Sequence, residues 1–76
     1  MRNTPRRTVP KDEVEARLKL LTAREREVLD QLILGKINKE IAEALGISQR
    51  TVEIHRARVR EKMKARGISD LILMLH

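Results

Sequence analysis

The side chains best suited to chemistry in this chain are cationic, and they crowd one stretch. Residues 48 to 66, SQRTVEIHRARVREKMKAR, hold seven Lys and Arg against two Glu. The chemistry such a run offers is recognition of a polyanion. Lys and Arg neutralise phosphates, and an Arg fork reaches two acceptors on one base edge. Most of the remaining excess charge sits at the start, where residues 1 to 11 carry Arg2, Arg6, Arg7 and Lys11 and no acid. Residues 12 to 47 hold six positive against eight acidic side chains, so the net charge of +6 is confined to one predicted helix and one arm. That distribution is the electrostatic footprint of a nucleic-acid binder.

The helix can be read by angle. At about 100° per residue, Val59 and Met63 fall within about 20° of Val52 and make an inward seam. Arg50, Glu53, Ile54, Ala57 and Glu61 then face outward, with Lys64 nearby and Arg58 at the flank. Ile54 lies about 160° from the seam, where a soluble helix has no use for an isoleucine. A major groove supplies the use, because the thymine edge alone presents a methyl group there. Ala57 keeps the surface low. Arg50 reaches either guanine or a phosphate, and Glu53 either accepts from a cytosine amino group or orients a neighbouring Arg. The expected base-reading set is therefore Arg50, Glu53, Ile54 and Ala57. Lys39, Ser48, Thr51, Arg56, Arg58 and Lys62 are the expected phosphate contacts, Ser48 through the N–H groups of a helix start. His55, about 60° from the seam, reads as a boundary residue.

Other chemistries find no support. Zero cysteines exclude disulfides and thiolate sites, and two histidines are too few to suggest a metal, so no metal or cofactor is expected. No carboxylate pair, nucleophile with base, or glycine-rich phosphate loop stands out, so the chain does not read as an enzyme. Without Phe, Trp or Tyr the core must come from aliphatic residues and Met, and base-stacking RNA folds are disfavoured. The run LILML is too short to cross a bilayer, and no signal-peptide pattern opens the chain. The expectation is a cytoplasmic protein without a membrane partner.

The positioning elements follow from punctuation. MRNTPRRTVP reads as a flexible arm or interdomain linker extending to about residue 13. A thin amphipathic helix over about 12–20 has Asp12 as cap and Val14, Leu18 and Leu21 on one face. Thr22 and Glu25 form a capping box for a helix over 23–34 with Val28, Leu29, Leu32 and Ile33 buried, stopped by Gly35. Asn38 caps a helix over 39–45, with Ile37 stapled to Ala42, Ile41 and Leu45 inward, and Gly46 ending it. Ser48 caps the basic helix over 49–65, with Ile47 stapled to Val52. Ser69 caps a last helix over 70–76 after Gly67. Two helices joined by the turn GIS make a helix-turn-helix.

The string LTAREREVL, with NKEIAEALGIS and TVEIHRARVREKM at these spacings, resembles the LuxR/GerE type of helix-turn-helix output domain, and EKMKARGISDLILML is most similar to the FixJ subfamily of response regulators. The resemblance covers about residues 15 to 75. It implies an all-α, four-helix domain, here with a basic N-terminal arm and a linker helix. Such a domain binds double-stranded DNA as a homodimer through its last helix and regulates transcription, with RNA polymerase as a further partner. The family's base-contacting positions fall on Arg50, Glu53, Ile54 and Ala57. Family members often carry Lys where this chain has Glu53. Leu73 stands where the subfamily often has a polar residue, and it is the expected dimer contact. The chain then reads as the output half of a longer regulator or as a stand-alone one. A sigma-factor promoter-reading domain shares part of the pattern, though SDLILML counts against it. A protein-interaction module with incidental basic charge is the alternative of another class.

Overall fold

The computed structural model describes residues 9–75, which form five helices and no strand. They are α1 (Lys11–Leu18), α2 (Ala23–Ile33), α3 (Asn38–Leu45), α4 (Gln49–Met63) and α5 (Ile68–Leu75). Residues 1–8, which hold most of the expected basic arm, and the His76 side chain lie outside the described residues.

The helix α4 is the axis of the packing, because both halves of the core close on it. Val52, at its start, meets Val28, Leu32, Ile41 and Ala42 from α2 and α3. Val59 and Met63, toward its end, meet Val14 of α1, Leu29 of α2 and Leu71 of α5. All three α4 residues have no solvent exposure, as the angular reading requires. Ile68 packs against both halves and joins them.

The helix α2 starts with the capping box that its sequence spells. The Glu25 N–H donates to Thr22 Oγ1 at 3.1 Å, and the Thr22 N–H donates back to Glu25 Oε1 at 3.0 Å. The same carboxylate receives the Lys62 ammonium of α4 at 2.7 Å, while Glu25 itself is 1% exposed. Burial alone raises the Glu25 pKa, but the Lys62 hydrogen bond and charge, the Thr22 N–H and the nearby His55 outweigh it and hold the carboxyl below its ordinary value of 4.5. Lys62 therefore secures the fold from inside.

Several helix ends differ from their sequence signals. Pro10 precedes α1, and Asp12 sits in its first turn, accepting the Glu13 N–H rather than capping. Val14 is buried and Leu18 and Leu21 pack beside it, as their spacing suggests. Ile33 is 41% exposed instead of buried. It is the last residue of α2, about 140° from Val28 around the helix, at the point where the chain turns away. Asn38 is the first residue of α3, not its cap. The Ile37 N–H is taken by the Glu40 side chain at 3.0 Å, and the Asn38 side chain turns to α4. Ile37 is 61% exposed, so the expected staple to Ala42 covers little of it.

The α4 C-terminus comes earlier than Gly67 suggests. Lys64 adopts a left-handed φ of 57°, and the Lys64 and Ala65 N–H groups close back on Glu61 and Arg60. Left-handed backbone costs a non-glycine about 1–2 kcal/mol, and the paired bonds of this Schellman motif offset it. Arg17 of α1 adds a donor, its Nη1 reaching the Met63 carbonyl at 2.8 Å. A cation at a helix C-terminus also meets its dipole favourably. At α5 the expected Ser69 cap lies inside the helix, and Asp70 Oδ2 instead accepts the Arg66 N–H at 2.9 Å.

Lys62→Met leaves Glu25 buried without its cation and should cost about 3 kcal/mol at neutral pH by chemical denaturation, with a smaller penalty in acid as the carboxyl protonates. A depressed folded pKa stabilises above the unfolded value and loses that contribution as pH falls through the folded one. Wild-type melting temperature should therefore drop as pH falls below about 4.5, and Glu25→Gln should flatten that part of the drop. Gly46, at φ 68°, has open space where a Cβ would sit, so Gly46→Ala should cost only the conformational strain of about 1 kcal/mol.

Candidate nucleic-acid interface

The turn between α3 and α4 decides how α4 is presented. Gly46 takes the left-handed position that ends α3, with the Ile47 N–H returning to the Ala42 carbonyl at 3.0 Å. Ile47 packs into the core half that contains Val52. Ser48 then caps α4 by accepting the Thr51 N–H at 3.0 Å, and the two hydroxyls lie 2.9 Å apart. Three consecutive residues thus reverse the chain, anchor it and start the next helix. As first-turn residues of α4, Gln49 and Arg50 have N–H groups without an intrahelical acceptor, and both residues are exposed, as is Ser48.

Arg50, Glu53, Ile54, Ala57, Arg58, Glu61 and Lys64 are all exposed, on the side of α4 away from Val52, Val59 and Met63. Ile54 is 40% exposed, which for a residue of its size leaves a broad apolar surface among charged neighbours. Arg50 and Glu53 approach to 3.7 Å on consecutive turns. An ion pair this exposed is worth about 0–1 kcal/mol, so either partner can exchange it for another contact at little cost.

The six positions expected to meet phosphate divide by environment. Lys39 and Arg58 are exposed, Ser48 is exposed at the α4 start, and Thr51 is half-buried beside it. Arg56 is half-buried and its Nη1 donates to Asn38 Oδ1 of α3 at 2.7 Å. Lys62 departs from expectation, since its ammonium is spent on buried Glu25. His55 is half-buried at the edge of the seam, with no hydrogen-bond partner at Nδ1.

A shallow groove runs between the α3 start and the flank of α4. Lys36, Asn38, Lys39, Gln49 and Arg56 line its polar part. Sequence reasoning singled out Lys39 and Arg56 but passed over Lys36, Gln49 and the tie from Asn38. Asn38 and Arg56 are far apart in the chain, and no periodicity of a single helix links them. On α5, Leu71 is buried while Leu73 is 58% exposed and Ile72 is also exposed, so an apolar strip lies open beside the Val9 and Leu18 region.

Among the described residues no His, Cys, Asp or Glu group is arranged to hold a metal, and no helix is long and apolar enough to cross a membrane. The interface offers charge, hydrogen-bond donors and one apolar side chain.

Residues 19–75 match the family model described as bacterial regulatory proteins, luxR family. Over 63 residues the chain is 49% identical to the transcriptional regulatory protein FixJ of Rhizobium meliloti, covering 83% of this chain and 31% of that one. It is 54% identical over 52 residues to the tetrathionate response regulatory protein TtrR of Salmonella typhimurium, covering 68% and 25% respectively. Among solved structures, full-length FixJ from B. japonicum superposes with a TM-score of 0.77 at 44% identity over 82% of this chain and 30% of that one. The response regulator StyR gives a TM-score of 0.78 at 39% identity, covering 82% and 31%. The chain thus spans a third or less of each of these relatives. With the α3–turn–α4 geometry, the exposed α4 face and these matches agreeing, the chain belongs to the luxR family of bacterial regulatory proteins, as a helix-turn-helix domain of the FixJ type and not an enzyme.

Proposed function

We propose that this domain binds double-stranded DNA sequence-specifically, with α4 in the major groove, as the output part of a cytoplasmic response regulator that controls transcription. The observation that carries it is the exposed α4 face: an isoleucine flanked by Arg50, Glu53 and Ala57 stands directly opposite a fully buried seam. A major groove about 12 Å wide admits a helix of this kind, and Arg50, Glu53, Ile54 and Ala57 are the side chains positioned to meet base edges. Ile54 would rest on a thymine methyl. Arg50 would leave its weak pairing with Glu53 for guanine or for phosphate.

Lys39, Ser48, Thr51, Arg56 and Arg58 would hold the sugar-phosphate backbone and set the register. We leave Lys62 out of that set because Glu25 already neutralises it. Exposed Leu73, with Ile72 beside it, supports a two-fold contact between α5 helices, and paired domains would read half-sites about 10 base pairs apart. An apolar strip this small is consistent with pairing that becomes stable only on DNA. RNA polymerase is the natural further partner of a domain that acts on transcription. The names of the relatives, a transcriptional regulatory protein and a response regulatory protein, support the same role.

Selection from a randomised duplex pool, followed by titration of the winner against scrambled DNA at several salt concentrations, tests the proposal. A two-fold motif with a large affinity gap over scrambled DNA is expected, and an unenriched pool would refute sequence-specific binding. Ile54→Ala should narrow the gap by about 1–3 kcal/mol while sparing scrambled DNA. Arg58→Ala should weaken both duplexes alike and lower the salt slope by about 0.9.

A further inference from the structure

We propose that Asn38 is a positioning residue for DNA binding: it holds the Arg56 guanidinium in the groove flanked by Lys36 and Lys39, ready to meet a backbone phosphate. The inference rests on the DNA-binding function proposed above and adds a residue to it.

The geometry is specific. Arg56 Nη1 donates to Asn38 Oδ1 at 2.7 Å, and both residues are half-buried. A guanidinium has donors only, so the amide must present its oxygen to it. One N–H is used in this way, and the planar fork keeps further donors for an oxyanion. Arg56 leaves α4 about 160° around the helix from Ile54, on the side that faces α3. From there an unrestrained side chain has no reason to turn toward the duplex wall next to the α3 start. Asn38, the first residue of α3, fixes where the charge is placed.

The chemistry of the partner decides between a structural tie and a poised contact. Two basic side chains of α4 are held by groups on other helices, and they are held differently. Lys62 meets a buried carboxylate, which cancels its charge. Arg56 meets a neutral amide, which directs its charge without cancelling it. The groove around it carries Lys36, Lys39 and Arg56, and no acidic side chain lines it. Three unneutralised cations in one concave strip, one of them held in place, suit a phosphate of the duplex beside the groove that α4 enters.

The test uses the selected duplex and a scrambled one, titrated by fluorescence anisotropy at several salt concentrations, with thermal melts to check folding. Arg56→Ala should weaken both duplexes by one factor and reduce the slope of log affinity against log salt by about 0.9. Asn38→Ala should weaken both about 2–10-fold, the worth of one hydrogen bond, and should add nothing in the Arg56→Ala background. Asn38→Asp is the discriminating variant. It should keep or raise the melting temperature by pairing with Arg56, yet bind both duplexes more weakly than wild type because it cancels the charge meant for phosphate. Wild-type affinity in either Asn38 variant, or additive losses in the double variant, would overturn the proposal. A wild-type domain that distinguishes no duplex would instead overturn the DNA-binding function itself, before any variant is compared.

Discussion

The domain hangs on the inner edge of α4. Val52, Val59 and Met63 lose all contact with solvent, and α1, α2, α3 and α5 each supply residues to cover them. Full burial of such side chains is worth about 1.5–3 kcal/mol each, so this seam fixes the rotation of α4 about its own axis. Once that rotation is set, the opposite face has no freedom. Arg50, Glu53, Ile54 and Ala57 are outward because their neighbours are inward, and the surface proposed to read DNA is obtained from a packing requirement.

The ends of α4 are fixed by other means. At its start, Gly46, Ile47 and Ser48 supply a left-handed residue, an anchor and a cap in succession. At its end, Lys64 takes a left-handed turn without being glycine, and Arg17 closes on the Met63 carbonyl from α1. Residues 19–75 match the family, and α1 precedes them, yet Val14 of α1 joins the core and Arg17 touches α4 directly. The segment that reads as a linker is thus in contact with the helix that carries the functional face.

Charge is divided between fold and function by burial. Glu25 serves two purposes at once, capping α2 and receiving Lys62 across to α4, and a buried carboxylate needs both kinds of partner. The exposed pairs on α2, Arg24 with Glu27 and Arg26 with Asp30, are ordinary solvated contacts of small energetic weight. Basic residues on the outer side of α4 are not neutralised by buried acids. Their charge is available to a polyanion.

Much of this was legible from residue order, because helix periodicity and caps are local. The seam and outer face of α4, the Thr22–Glu25 box, the Gly46 stop and the Ser48 cap all follow from spacings of one to seven residues, where backbone geometry alone dictates who meets whom. What the order of residues could not decide is which polar groups meet across helices. Asn38 had every local mark of a cap, and it instead orients Arg56; Lys62 had the marks of a phosphate contact, and Glu25 takes it. Ile33, expected to be buried by period, and Ile37, expected to staple to Ala42, both stand largely exposed at the α2–α3 turn. Those outcomes depend on where α2 and α3 come to lie against α4. That is set by the packing of the whole core, and no stretch of neighbouring residues contains it.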